Sequence, residues 1–234
     1  SGTNTGDNYV IDLNGASYVT FRNLKVRNTG TSYKYAVQFS GASNDITFNN
    51  NYLYNDSGYT TTSTLSTIVY SGGASVNSNL TFTNNTLVGG SYAFYMYGQN
   101  TTNLSSNLII DGNIIKSSYY GMRLYYQDAP KVRNNLIDMS NTAYTGTIYG
   151  IYNYYCDNAL EYSGNTIKML RNATNYGIYG ANNDGTGSKR GLIANNMIAI
   201  GDTNSTSTNY GIYCSSCGFQ DYYNNSINVL SNST

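Results

Sequence analysis

Apolar and polar positions alternate along this chain in short runs, and one pattern of them returns from end to end. It reads apolar, any residue, apolar, two polar residues, asparagine, any residue, apolar, as in Ile46-Thr47-Phe48-Asn49-Asn50-Asn51-Tyr52-Leu53. The pattern recurs over Leu80 to Leu87, Leu108 to Ile115, Pro130 to Ile137, Leu160 to Ile167, Gly191 to Ile198 and Gln220 to Ile227. A shortened version, Val19-Thr20-Phe21-Arg22-Asn23-Leu24, opens the series. The recurrent asparagines Asn51, Asn85, Asn113, Asn135, Asn165, Asn196 and Asn225 lie 34, 28, 22, 30, 31 and 29 residues apart, a mean of 29.

A second motif keeps step with the first: Tyr, then Gly or Ala, then an apolar residue. It appears at Tyr35, Tyr92, Tyr120, Tyr149, Tyr176 and Tyr210, with Tyr9-Val10-Ile11 fitting the first repeat and Ser66-Thr67-Ile68 the third. Each motif predicts short strands with alternate residues inward. Strands of two to five residues at this period are too short for propeller blades. No leucine consensus is present, and Gly and Asn are too frequent for helical repeats. A coiled parallel sheet fits, each lap hydrogen-bonded to the laps above and below. The asparagine is expected to turn a corner with φ above zero, which Asn tolerates better than most residues, and to bond to its equivalents in a ladder. The glycine of the tyrosine motif is expected to mark a second bend.

These motifs resemble the parallel β-helix repeats of the pectin lyase-like superfamily. The run from Asn8 to Leu24, NYVIDLNGASYVTFRNL, is similar to repeat regions of large secreted surface proteins of Bacteroidota-type bacteria. The resemblance covers essentially the whole chain. It implies an all-β fold: one single-stranded, right-handed parallel β-helix of about eight coils over residues 1–234, with an Asn ladder. It is specific for fold and silent on activity, because the superfamily includes lyases, hydrolases, esterases, adhesins and phage tailspikes.

Charge narrows the partners. Lys plus Arg and Asp plus Glu are 12 each, so the net charge is zero and a nucleic-acid partner is not expected. No apolar run approaches a membrane span. Residues 1–6 show neither a basic n-region nor an apolar h-region. Aligned on the ladder asparagine, the charges of the middle coils take opposite-sign neighbours: Asp111 with Arg133, Lys131 with Glu161, and Asp138 with Lys116 and Lys168. Exposed pairs of this kind contribute at most about 1 kcal/mol each, so their larger role is register.

Catalytic templates find little to match. The hydrolases of the resembling superfamily need close aspartates and usually a histidine, and this chain has no histidine. A metal-dependent lyase needs carboxylates on neighbouring coils around Ca²⁺, and Asp111, Asp128 and Asp138 fall in different columns. No catalytic residue, metal site or cofactor is assigned, and an enzymatic role is not the leading expectation. The candidate binding feature is an outward aromatic column in the tyrosine motif. It reads Asp12, Gln38, Val69, Tyr95, Arg123, Tyr152, Tyr179, Tyr213, with Tyr95, Tyr152, Tyr179 and Tyr213 as the candidate contacts. These tyrosines serve either as inter-coil stacking or as a platform for sugar rings or a neighbouring chain. Cys214 and Cys217 form either a local disulfide or buried thiols. Cys156 shares an offset with Cys217 two coils away, too far for a direct bond.

Both ends fall inside a lap. This predicts a module of a longer β-helix or a subunit stacking head to tail with itself. The expected function is an extracellular or cell-surface structural or adhesive β-helix. The alternative is a polysaccharide-binding or polysaccharide-cleaving domain.

Overall fold

The computed structural model describes residues 8–30, 34–56, 62–204 and 206–231. The N-terminal residues read above for an export signal lie outside these. Among the described residues there is no helix, and all regular structure is parallel strand wound into a solenoid. Three faces carry eight stacked strands each. Face one stacks Tyr9–Leu13, Lys34–Phe39, Ser66–Gly72, Tyr92–Tyr97, Tyr120–Asp128, Ile148–Asp157, Asn175–Ala181 and Asn209–Ser215. Face two runs from Ser17–Arg22 to Gln220–Tyr223, and face three from Lys25–Asn28 to Ser226–Leu230.

Each face contributes one continuous column to the core. Face one supplies Val37, Val69, Phe94, Met122, Ile151 and Ile178; face three supplies Leu53, Leu87, Ile115, Ile137, Ile167 and Ile198. On face two, Phe21, Phe48 and Phe82 stack face to face at 4.6 and 5.3 Å before Ile110 and Val132 continue the column. In-register repetition puts like side chains over like, so the apolar positions of the motif become three unbroken seams.

The corner between faces two and three holds the asparagines, and it divides their two expected duties. The positive φ belongs to the residue before the ladder position: Asn23, Asn50, Asn84, Gly112, Asn134, Gly164, Asn195 and Asn224, with φ from 49° to 67°. The ladder asparagines themselves do not take up that conformation. Each is the acceptor for the coil before it. The backbone N–H and Nδ2 of Asn85 both donate to Oδ1 of Asn113, at 2.8 and 3.0 Å. Its Nδ2 also donates to the Phe48 carbonyl at 2.9 Å. The pattern repeats from Asn51 through Asn225. The first coil is not shortened. It has the full pattern with Leu24 at the ladder position, where the Leu24 N–H donates to Oδ1 of Asn51 at 2.9 Å.

The glycine of the tyrosine motif does sit where the chain turns, and what requires it there is space and not a positive φ. Gly121, Gly150, Gly177 and Gly211 do not have positive φ. At Gly150 a Cβ would lie 2.6 Å from the Gly177 carbonyl oxygen and 2.8 Å from Cγ2 of Ile167. The residue faces the core at a point of close backbone approach, followed by a second inward residue, Ile151. Two inward positions in succession turn the chain and leave the tyrosines on either side facing out.

Candidate functional site

That turn generates the tyrosine array. The motif tyrosines Tyr92, Tyr120, Tyr149, Tyr176 and Tyr210 stack coil on coil, with centroids 4.6 to 5.0 Å apart and ring planes within 11°. The next outward position makes a second column, in register as Tyr70, Tyr95, Arg123, Tyr152, Tyr179 and Tyr213. Val69, expected in this column, is a core residue; the third repeat lacks its tyrosine, so the motif there is Thr67-Ile68-Val69 and Tyr70 points out. The two columns meet edge to face, as in Tyr149 with Tyr152 at 5.2 Å and Tyr176 with Tyr179 at 5.3 Å. A third column, Tyr97, Tyr125 and Tyr154, lies beside the second.

The four candidate tyrosines are therefore together, but half-buried rather than exposed. Tyr152 and Tyr179 are 4.6 Å apart with planes within 5°, and Tyr179 and Tyr213 are 4.9 Å apart. Ring faces covered by neighbouring rings are closed to the flat contact through which a sugar ring stacks. Tyr95 and Tyr152 have the Arg123 guanidinium as their neighbour on one side of the column, and Tyr213, on the last described coil, has no column residue above it.

Arg123 interrupts the second column. Its guanidinium carbon lies 4.9 Å from the Tyr125 centroid and 5.4 Å from those of Tyr95 and Tyr120, and Nη2 donates to the Tyr125 hydroxyl at 3.0 Å. No carboxylate forms an ion pair with it among the described residues. Burial opposes its charge, but the Tyr125 hydrogen bond and the surrounding phenols hold the guanidinium protonated more firmly than usual. Burial pushes the phenols up: Tyr149 to about 12, and Tyr92, Tyr97, Tyr120 and Tyr152 further.

On faces two and three the charge register is partly as expected. Arg133 pairs with Asp111 at 3.0 Å and reaches Glu161 at 3.9 Å, bridging coils four to six. Lys131 lies opposite Glu161 but forms no ion pair with it, because Glu161 turns toward Arg133 and accepts from Ser163. Asp138 lies opposite Lys168 yet accepts from the Ser140 N–H instead. Two pairs escaped the sequence reading: Arg27 with Asp56, and Arg190 with Asp221. Asp128, Asp157 and Asp184 form an unforeseen column of carboxylates on consecutive coils. Each lies eight residues after its motif tyrosine, so alignment on the tyrosine would have found it; alignment on the asparagine, across loops of unequal length, could not. Among the described residues no three His, Cys, Asp or Glu side chains come together as a metal-holding group.

A groove of about 380 Å³ runs along the edge of face two, lined by Asn79, Thr81, Asn107, Ile109, Lys131 and two alanines. At the eighth coil Cys214 and Cys217 are joined in a disulfide, while Cys156 is a buried free thiol. The disulfide lines a hollow of about 560 Å³ with Phe219 and Tyr222, at the open end of the core.

No family model matches the chain, and no curated protein matches it. Among solved structures it is similar to the Streptococcus pneumoniae surface protein and adhesin PfbA, with 14% identity and a TM-score of 0.43. That match covers 96% of this chain and 63% of the other, so the chain spans less than two thirds of that structure's length.

Proposed function

We propose that this chain is a rigid segment of an extracellular or cell-surface structural or adhesive protein, a rod that spaces or presents rather than transforms. One observation carries this reading: the recurrent polar chemistry is directed at neighbouring coils. The ladder amides bond to one another, Arg133 is held between carboxylates, and the tyrosine faces cover each other. Seven coil-to-coil steps at the strand spacing give a rod of roughly 34 Å. The Cys214–Cys217 disulfide supports an oxidising compartment. The partners proposed for its open ends are further β-helical coils, of the same polypeptide or of a second copy. Electron microscopy and small-angle scattering of the purified chain test the rod. Unsaturated products released from acidic polysaccharides in the presence of Ca²⁺ would overturn it.

A second reading rests on the face-two groove, whose amides Asn79 and Asn107 and exposed Lys131 offer hydrogen bonds along an extended floor. We propose it as the place a polysaccharide would bind, in preference to the tyrosine column. Binding on a glycan array that is lost in Lys131→Ala supports this; binding that is lost only when Tyr213 is changed would refute it.

A further inference from the structure

We propose that the tyrosine array is a site of oxidative cross-linking between coils, with Tyr97 and Tyr125 the favoured pair. These two residues are direct register partners on adjacent strands of face one. Their rings lie 4.3 Å apart, centroid to centroid, with planes within 10°. Both keep some solvent exposure.

The chemistry is radical coupling. A one-electron oxidant removes an electron and the hydroxyl proton from each phenol. The two phenoxyl radicals then join through their ortho carbons, and each joined carbon passes its hydrogen to the oxygen as the rings regain aromaticity. With hydrogen peroxide as oxidant and a haem peroxidase as carrier, two phenols and one peroxide give one biphenol and two waters. In a flexible chain the limiting event is the meeting of two radicals. Here the fold has already brought the rings together.

The rest of the chain favours tyrosine as the end point. There is no tryptophan or histidine, and Cys156 is fully buried. Met96, Met122, Met139 and Met169 are buried, which leaves Met197 as the exposed thioether among the described residues. Edge-to-face contacts such as Tyr92 with Tyr95, and stacked ones such as Tyr95 with Tyr97, connect the columns. A radical formed at an outer ring therefore has neighbours at each step toward the pair. The link would add a covalent bond between side chains of coils four and five, which packing, hydrogen bonds and the Asp111–Arg133 ion pair hold together here, and would resist unfolding as other cross-links do.

The test is to treat the dilute, folded chain with a haem peroxidase and hydrogen peroxide. Dityrosine fluorescence should appear in the monomer, with the mass lowered by two hydrogens. Digestion should yield a linked peptide containing Tyr97 and Tyr125. Tyr97→Phe and Tyr125→Phe keep the stacked ring and should each abolish that peptide, while Tyr18→Phe, at an exposed ring on the first coil, should leave it. Dityrosine confined to dimers would overturn the proposal, as would a monomer yield no higher than in urea or a link at another pair.

Discussion

The backbone N–H and the side-chain amide of Asn113 donate to a single oxygen, Oδ1 of Asn135, at 2.9 and 3.0 Å. Asn113 in turn presents its own Oδ1 to both donors of Asn85. A leucine here would keep the backbone bond to Asn135, as Leu24 does to Asn51, but would take from both Asn85 donors the acceptor they share, the backbone N–H losing its acceptor and the side-chain amide keeping the Phe48 carbonyl. Asn113→Leu should destabilise the fold by about 2–5 kcal/mol, since each buried donor left without an acceptor costs about 1–3 kcal/mol. Asn225→Leu should cost less, because water reaches the eighth coil. Urea unfolding of the two variants side by side checks the ranking.

Gly150→Ala adds one carbon where the Gly177 carbonyl and Ile167 leave no room. A loss of roughly 1–3 kcal/mol is expected from overpacking, read as a lower thermal midpoint. The same change at Gly187, where a Cβ would meet nothing within 4 Å, should be nearly silent.

Asp157 responds to acid in a direction opposite to that of a salt-bridged carboxylate. Burial first, and then the charges of Asp184 and Asp128, raise its pKa above the ordinary value, although the Asp184 N–H partly offsets this. Its ionisation therefore costs stability at neutral pH, and the cost vanishes below the unfolded value near pH ~4. Asp157→Asn, which keeps an acceptor for the Asp184 N–H, should be more stable than the parent at pH ~7. The difference should close at pH ~3.5, below the ordinary carboxylate value. Thermal midpoints across that range give the answer.

The phenols set the alkaline limit. Burial raises Tyr149 to about 12 and several neighbours further, so the unfolded chain ionises first. Their contribution is complete below the ordinary tyrosine value of about 10 and is lost as pH rises through the folded values. Phenolate absorbance should therefore rise together with loss of the β signal in one steep step, rather than as independent titrations.

Cys214 and Cys217 occupy the register of Gly180 and Asn183, which in the coil below are covered by the next lap. The disulfide does for the eighth coil what a further coil does for the seventh. Reduction, or Cys217→Ser, should raise hydrogen exchange in the last face-one strand while leaving the middle coils protected.

The period was legible because from Asn51 onward the ladder position holds one residue type, an amide that donates twice and accepts twice, repeated through Asn225. The division of labour at the corner was not, because Asn50 and Asn51 are identical letters with different tasks. Only Gly112 and Gly164, glycines where a ladder amide could not be spared, hint that the strained position comes first. Tyr70 was missed for want of a tyrosine at Thr67. The half-burial of the tyrosine columns was missed because sequence marks which way a side chain points, and not what leans against it.

The ladder also has a direction. From one ladder amide to the next the donors face the higher coil, although each Nδ2 also donates to a backbone carbonyl of the coil before, and Leu24 at the first coil has no side-chain oxygen to receive with. A lap placed beyond Asn225 can continue the series if it brings an asparagine, whereas a lap placed before Leu24 cannot. Copies stacked head to tail would set Asn225 against Leu24 and interrupt the series at every seam. The rod thus has a sticky pole and a mute one, and a growing assembly would read its orientation from a single leucine.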